Sequence, residues 1–301
     1  MQPALEPRPL LLSVDFEDWH QLVRRRVGVA NWNRPGPALE RQTEVLLDLF
    51  DELDVRATFF VLGLAARGHP TLVRRIAGRG HEIGCHGDGH VPVHGQTSNE
   101  FAADLQRARS TIEDLTGQVP VGYRAPAFSI TQACPWAYDV LARQGFVYDS
   151  SQHDSPRIRG RIRSDSSRPH AMHVEGGTLW EFPIAVWHTP AGAFPVGGAS
   201  YWALLPTGFI LRALDRVEPL TGLYLHPHEV DPDPLSAALP AGARPGQRAR
   251  GAYRSAQRNL ARRRTVDVLR AIASEHPLIP YGEAHARLVD RTPAGSPALH
   301  R

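Results

Sequence analysis

The sequence predicts an α/β fold in which strands and helices alternate around a largely parallel sheet. Residues 10–14 form a continuous apolar run, which is typical of a buried parallel strand. Residues 42–53 follow with apolar side chains at helical spacing. Because strand-like and helix-like segments go on alternating along the chain, the sheet is expected to be parallel, either open or closed into a barrel.

The predicted elements follow one another in short segments. Strands are predicted at residues 10–14, 57–61, 82–84, 122–124, 147–149, 179–182, 223–226 and 278–280. Helices are predicted at residues 42–53, 70–78, 98–116, 135–144, within 204–217, and at 254–275. The longest helix takes Ser98 as its N-cap and stops at Gly117.

Two stretches, residues 151–178 and 229–250, are expected to be irregular because they are rich in Pro and Gly together with Ser, Arg or Ala. Both follow predicted strand ends. Loops at the carboxyl ends of strands are where α/β proteins place ligands. A plain flexible insertion is the simpler alternative for each stretch.

Length and composition favour a single globular domain. The chain has 301 residues, of which 42% are hydrophobic and 22% charged, so it is long enough to bury a sizeable core. We expect one domain over residues 1–290 and a disordered tail over residues 291–301.

Several classes of protein are excluded. Two cysteines without a C-x-x-C motif do not make a zinc finger or a disulfide framework. The net charge of +3 comes without a nucleic-acid-reading motif, so no nucleic-acid partner is expected. The first 12 residues lack the basic start and long apolar run of a signal peptide or membrane span, which predicts a cytoplasmic protein with no membrane span.

Histidine and carboxylate residues stand where predicted strands end. His86 and His90 have a spacing that lets two imidazoles converge on one metal ion. Asp15, Glu17 and Asp18 follow the first apolar run, where carboxylates are costly unless they meet cations. One carboxylate would complete a His-His-carboxylate site and another would act as general base. A helix cap or a surface cluster is the alternative.

Two further residues could complete a hydrolytic site. Arg124 could orient a carboxylate through a two-pronged hydrogen bond, although a surface salt bridge is the ordinary alternative. His226 lies at an apolar strand end, where an imidazole can protonate a leaving amine. The alternative for His226 is a satisfied core histidine.

With these residues in order, the chain resembles the polysaccharide deacetylase family, also called the NodB-homology family or carbohydrate esterase family 4. The resemblance covers residues 9–285. It rests on the segments Asp15-Phe16-Glu17-Asp18, His86-Gly87-Asp88-Gly89-His90, Arg124-Ala125-Pro126 and Leu225-His226. It implies a distorted (β/α) barrel of parallel strands with surrounding helices.

The resemblance also implies roles for these residues. His86 and His90 would be metal ligands, Asp15 the catalytic base, and His226 the catalytic acid. The family's first motif has two adjacent Asp residues, whereas this chain has Asp-x-Glu-Asp. The third metal ligand is therefore left open between Glu17 and Asp18. Arg124 would orient the base.

A closer resemblance is to the subgroup associated with exopolysaccharide clusters. It rests on Val14-Asp15-Phe16-Glu17-Asp18-Trp19, Tyr148-Asp149-Ser150-Ser151, Pro195-Val196-Gly197-Gly198 and His226-Pro227-His228-Glu229. The motif residues expected to contact substrate are Trp19, Pro126, Phe128, Asp149, Glu181 and Glu229.

The resemblance implies a metal-dependent hydrolase that removes an N-acetyl group from an amino sugar or sugar-containing substrate. The substrate would be a small molecule or an oligosaccharide. The donor set suits one Zn²⁺ ion, although Co²⁺, Ni²⁺, Mn²⁺ and Fe²⁺ also bind such sites. The alternatives are a same-fold amidase or deacylase for a non-carbohydrate small molecule, and a non-catalytic binding protein.

Residues 152–173 carry a further hypothesis. An Arg-rich loop near the mouth of a site would suit an anionic substrate, such as a phosphorylated or nucleotide-linked sugar. A solvated loop is the alternative. The arginines in question are Arg157, Arg159, Arg161, Arg163 and Arg168.

Overall fold

The computed structural model describes residues 8–155 and 167–291. Arg157, Arg159, Arg161 and Arg163 of the predicted Arg-rich loop lie outside the described residues, as does the predicted tail from residue 292 onwards. Arg168 is described, and its Nε lies 3.3 Å from Glu218 Oε1.

A curled, mostly parallel sheet forms a half-barrel with helices around it, which confirms the predicted fold class. The strands of this sheet in spatial order are β10 (Gly222–Leu225), β1 (Leu10–Phe16), β2 (Thr58–Val61), β3 (Glu82–Cys85), β4 (Gly122–Tyr123), β5 (Tyr148–Asp149), β7 (Gly177–Glu181) and β6 (His170–Val174). Among the paired strands of this sheet in the described ranges, only β6 runs antiparallel to its neighbour. β11 (Leu278–Ile279) also pairs with β1. A separate hairpin consists of β8 (Val186–Thr189) and β9 (Gly192–Pro195).

Helices cover the sheet and connect its strands. They are α1 (Trp19–Arg26), α2 (Leu39–Glu52), α3 (Gly63–Gly68), α4 (Pro70–Gly78), α5 (Ser98–Thr116), α6 (Ala137–Arg143), α7 (Ala199–Trp202), α8 (Thr207–Leu214), α9 (Pro245–Asn259), α10 (Arg264–Glu275) and α11 (Tyr281–Arg291). In the part of the chain that the structure describes, none of them has both the length and the apolar character needed to cross a bilayer.

β1 lies between β10 and β2 in the half-barrel and is buried along its whole length. Its apolar side chains join the main core cluster, as expected for a strand covered on both faces. Because neighbouring strands are parallel, their carboxyl ends meet at one edge of the sheet. The register brings Asp15 level with His226. It also brings His86 level with Arg124.

Several predicted bounds are confirmed and others are wrong. Helices α4 and α5 have the predicted limits, and Gly117 ends α5 with a positive φ of 70°. The N-cap of α5 is Thr97, however, because Thr97 and Glu100 form a capping box. The stretches predicted to be irregular contain β6, the first two residues of β7 and the first six residues of α9. Helices α1, α3 and α11 were not predicted because they are short or polar.

The predicted helix over residues 254–275 is wrong, because the chain breaks between α9 and α10. Leu260 is extended and Ala261 has a φ of 52°, which an α-helix does not accommodate. The break turns the Arg262 side chain inward. Its guanidinium donates to the carbonyls of His228, at 2.8 Å, and of Asp231 and Asp233. Arg262 thereby supports the loop that follows β10.

We expect Arg262→Met to lower the free energy of unfolding by about 2–4 kcal/mol, because the carbonyls of His228, Asp231 and Asp233 lose their donor and the first two of these bonds are buried. The measurement is urea denaturation followed by circular dichroism. The exposed neighbour Arg263 provides the matched control, since Arg263→Met removes the same charge without removing those bonds. Equal stability of the two variants would contradict the assigned role.

Candidate active site

A cavity of about 580 Å³ opens at the carboxyl ends of β1, β3 and β10. Its wall combines charged and polar side chains with the aromatic rings of Trp19, Phe128 and Tyr224. The predicted site residues on its wall are Asp15, Glu17, Trp19, His86, His90, Phe128 and His226.

Beneath this cavity lies a buried ion pair between Arg124 and Asp15. Arg124 Nη1 donates to Asp15 Oδ1 at 2.8 Å, and the Arg124 side chain is fully buried. The same Nη1 donates to Ser13 Oγ at 2.7 Å. A buried carboxylate held in this way keeps a fixed orientation. The Asp15 side chain also lines the cavity.

The remaining donors of Arg124 are also used. Nε donates to the carbonyl of Ser150 at 3.1 Å, and Nη2 donates to Ser150 Oγ and to Tyr281 Oη at 2.9 and 2.8 Å. The guanidinium carbon lies 4.2 Å from the centre of the Phe60 ring. Burial lowers the pKa of Arg124, but Tyr281 and Asp15 outweigh that effect and raise it. Arg124 is therefore a permanent cation behind Asp15.

Glu17, His86 and His90 converge beside Asp15. One donor atom from each lies within 4.8 Å of the others. Glu17 Oε2 is 2.9 Å from His90 Nε2 and 3.8 Å from His86 Nε2. Although it is buried, this oxygen makes no well-aligned hydrogen bond. Burial raises the pKa of Glu17, but His90, His226 and His86 together lower it well below its usual range.

The orientation of His86 suits a metal ligand. Its Nδ1 lies 2.9 Å from the carbonyl oxygen of Arg124, which can only accept a hydrogen bond. The proton therefore belongs on Nδ1, and Nε2 keeps its lone pair toward Glu17. Burial lowers the pKa of His86, which favours the neutral imidazole that a metal requires.

These observations fit a divalent metal ion held by Glu17, His86 and His90. Two imidazoles and a carboxylate form the usual ligand set of a hydrolytic zinc site. The buried Glu17 oxygen without an aligned donor is the polar atom that such an ion would satisfy. In that position the ion would lower the pKa of water and polarise a carbonyl group.

Asp18 does not belong to this group, so its prediction as a metal ligand is corrected. Its carboxylate accepts from the backbone N–H of His20 at 2.8 Å and from that of Gly36. It caps the N-terminus of α1, where a carboxylate also meets the positive end of the helix dipole. The backbone turns after Phe16, so consecutive carboxylates point to different places.

His226 lies beside the Glu17 carboxylate on the cavity wall. Its Nε2 is 3.4 Å from Glu17 Oε1, and its Nδ1 is 3.1 Å from Glu229 Oε2. Burial lowers the pKa of His226, but Glu229 and then Glu17 outweigh it and raise the pKa to about 9. Glu229 is in turn held by Ser200 Oγ at 2.6 Å. Glu229 therefore positions His226 from behind.

The turn after Arg124 brings backbone groups to the cavity. Ala127 and Phe128 have φ angles of 55° and 53°, a left-handed conformation that non-glycine residues seldom adopt. Both residues line the cavity. Pro126 begins the turn but is buried behind it, so its predicted contact with substrate is not supported.

Asp149 and Glu181 also lie away from the cavity, which corrects their prediction as substrate contacts. Both are fully buried at the ends of β5 and β7. Asp149 accepts from Ser151, and Glu181 Oε1 accepts from the backbone N–H of Gln152 at 3.0 Å. Burial and the neighbouring Asp149 charge raise the pKa of Glu181 well above its usual value. The raised pKa favours the neutral, protonated form of Glu181 beside Asp149, in the layer below the site.

Two family models match this chain in succession. A polysaccharide deacetylase model matches residues 35–145, and the model of a domain of unknown function, DUF3473, matches residues 150–266.

Residues 35–145 of this chain are therefore similar to a polysaccharide deacetylase domain.

The second match marks the exopolysaccharide-associated subgroup of that family, as the sequence motifs predicted. The first match contains His86, His90 and Arg124, and the second contains His226 and Glu229.

Curated relatives are similar to part of this chain. A peptidoglycan deacetylase of Helicobacter pylori is 32% identical over 106 residues, which cover 35% of each chain. A chitooligosaccharide deacetylase of Rhizobium leguminosarum bv. trifolii is 34% identical over 101 residues, covering 34% of this chain and 44% of the relative. The chain thus spans less than half the length of either relative.

A solved structure shares the whole fold. A candidate polysaccharide deacetylase from Mycobacterium smegmatis superposes with a TM-score of 0.61 at 23% identity. The match covers 100% of this chain and 97% of the other. The half-barrel is therefore the fold of a known deacetylase-like chain.

Sequence reasoning did not single out several residues of the cavity wall. Arg26, Arg254 and Arg258 reach it from α1 and α9, and His228 and Ser200 also line it. His228 was noted only as a motif residue. Arg254 and Arg258 lie within the predicted helix over residues 254–275, but Arg residues are frequent throughout the chain and nothing in the sequence placed this helix beside the cavity.

We expect Glu17→Gln to weaken binding of Zn²⁺ at least about 100-fold, because a neutral amide is a poor replacement for a ligating carboxylate. Asp18→Asn should leave the affinity within about threefold, since Asp18 only caps α1. Isothermal titration of the metal-free protein with Zn²⁺ measures both. Loss of affinity in Asp18→Asn alone would reverse the assignment.

The raised pKa of the buried Glu181 carboxyl group predicts a pH dependence of stability. The pKa of Glu181 is higher in the folded than in the unfolded chain, so its contribution is complete below the unfolded value of 4.5 and is lost as pH rises. Glu181→Gln keeps a neutral donor, so its stability relative to the native chain should increase between pH 5 and pH 8. Urea denaturation at both pH values tests this, with the exposed Glu113→Gln as control. A constant difference in the free energy of unfolding would refute the raised pKa of Glu181 in the folded chain.

Proposed function

We propose that this protein is a metal-dependent hydrolase that removes an N-acetyl group from an amino sugar within a glycan. Acetate and a free amine are the products. One observation carries the proposal: the Glu17–His86–His90 cluster lies in one cavity between Asp15, held by Arg124, and His226, held by Glu229.

The relatives support the choice of substrate class. The two named above are a peptidoglycan deacetylase and a chitooligosaccharide deacetylase, and both names describe hydrolysis of acetyl groups on glycans. Neither favours the alternative of an amidase for a non-carbohydrate small molecule. Zn²⁺ is the ion we propose, since two imidazoles and one carboxylate suit its preferences.

The proposed reaction uses two side chains on opposite sides of the acetyl group. A divalent ion held by Glu17, His86 and His90 supplies Lewis acidity. Asp15 takes a proton from the attacking water, and Arg124 keeps its carboxylate pointed into the cavity. His226 gives a proton to the nitrogen of the departing amine. Glu229 holds the imidazole through Nδ1, so that Nε2 faces the cavity.

A backbone group is available for the oxyanion. The N–H of Ala125 donates to Ser151 Oγ at 2.8 Å, and the N–H of Phe128 donates to the carbonyl of Ala125 at 3.0 Å. Pro126 has no N–H, which leaves the N–H of Ala127 in this turn. We assign it to the developing negative charge on the carbonyl oxygen, and the left-handed backbone of the turn serves to present it.

We expect Asp15→Asn to lower kcat for acetate release by about 10²–10⁴-fold, because general-base catalysis contributes that much. The substrates are N-acetylated chitooligosaccharides, and the protein is loaded with Zn²⁺ beforehand. Asp114, which is exposed on α5, provides the control variant Asp114→Asn. Chelation should abolish release by the native protein.

Two results would contradict the proposal. Turnover by a folded, metal-loaded Asp15→Asn protein at the native rate would remove Asp15 as base. Absence of acetate release from every N-acetylated glycan tested, with one Zn²⁺ bound per chain, would remove the deacetylase activity itself.

A further inference from the structure

Three arginines form a rim at the cavity mouth. Arg26 is the last residue of α1, and Arg254 and Arg258 lie one turn apart on α9. All three line the same cavity as Asp15 and His226. We call them the arginine rim. The two helices pack against each other, so the rim is assembled by the fold from distant parts of the chain.

Arg26 differs from the two arginines before it. Arg24 donates to the carbonyl of Ala238 through Nη2 at 3.0 Å, and Arg25 donates to the carbonyl of Gly89 at 2.8 Å. Both side chains therefore connect α1 to neighbouring loops. Arg26 has no hydrogen-bond acceptor and no carboxylate partner within residues 8–155 and 167–291. Its guanidinium is available to a ligand.

The two arginines of α9 are only partly engaged. Arg254 Nη1 donates to Gln257 Oε1 at 3.1 Å, which is a neutral acceptor. Arg258 Nη1 donates to Ser200 Oγ at 2.9 Å and lies 3.9 Å from Glu229 Oε1. Arg254 therefore has no carboxylate partner among the described residues, and Arg258 has a distant one.

The cations of the rim repel one another. The pKa of Arg26 is lowered by burial and then by the charges of Arg254 and Arg258. The carboxylates nearby compensate these charges only in part. Glu17 opposes the lowering of the Arg26 pKa, and Glu229 lies 3.9 Å from Arg258, but Asp15 is paired with Arg124 and Glu17 with imidazoles. A group of like charges facing one cavity is unfavourable in the free protein and attracts an anion.

We propose that the arginine rim binds an anionic substituent of the substrate, a carboxylate or a phosphate, while the acetylated sugar occupies the inner cavity. Guanidinium groups bind both anions through paired hydrogen bonds. This inference rests on the proposed function for the identity of the reacting group. It makes the protein selective for acidic over neutral glycans.

Binding is tested separately from turnover, with Asp15→Asn protein loaded with Zn²⁺. Isothermal titration compares a tetrasaccharide of alternating glucuronate and N-acetylglucosamine with neutral tetra-N-acetylchitotetraose. A second pair compares N-acetylglucosamine 6-phosphate with N-acetylglucosamine. We expect at least one anionic ligand to bind about tenfold more tightly than its neutral partner, and the preference to fall as salt rises.

Variants of the rim arginines test whether the rim causes the preference for the anionic ligand. Arg26→Gln combined with Arg254→Gln should remove most of it and leave affinity for the neutral ligands within twofold. Arg74→Gln removes one exposed positive charge from α4, outside the cavity wall, and should change neither. The pair that shows the preference identifies carboxylate or phosphate as the anion.

Other outcomes overturn the inference. These are equal binding of both members in both pairs, a preference that survives the double variant, or equal loss for anionic and neutral ligands. The proposed function fails independently, through absence of acetate release by the native protein. An anion preference that depends on the rim would stand even then, as evidence for an acidic ligand of this cavity.

Discussion

The buried guanidinium of Arg124 is the group on which the centre of this fold depends. A charge without exposure must be paired, and every N–H of this side chain has an acceptor. The acceptors come from β1, from the loop after β5 and from the start of α11. Arg124 therefore ties the middle of the half-barrel to its last helix. Asp15 is oriented as one part of that network, which is why the candidate base has a fixed position.

The parallel register explains why motifs far apart in the chain could be predicted to form one site. Asp15, His86, Arg124 and His226 each follow a buried strand, and parallel strands end at one edge. The sequence did not distinguish side chains that face the cavity from those that face the layer beneath it. Asp18 became a helix cap because the chain turns after Phe16.

Asp149 and Glu181 illustrate the same difficulty. A carboxylate at a strand end can point into water, into a cavity or into the core, and residue type alone does not decide among them. Here Asp149 accepts from the Ser151 hydroxyl and Glu181 Oε1 accepts from the backbone N–H of Gln152, while Glu181 Oε2 is buried without a hydrogen-bond partner among the described residues. The residues whose prediction rested on several motifs considered together do meet in one cavity. For a residue predicted only because it ends a strand, the direction of its side chain depends on packing that is defined only in the folded chain.

The segment after β10 contains arginines that support the candidate catalytic residues and arginines that belong to the proposed anion-binding rim. Arg262 supports the loop of His228 by donating to its carbonyl, and the helix break that turns Arg262 inward also ends α9. α9 then lies along α1 and presents Arg254 and Arg258 at the mouth. Arg258 reaches Ser200, which holds Glu229 behind His226. An anion bound at the arginine rim would thus be connected to the candidate acid His226 through the side chains of Arg258, Ser200 and Glu229. The hydrogen bonds around Arg124 and Glu229 hold the candidate base and acid in place, whereas the arginine rim keeps guanidinium groups that can bind an anionic ligand.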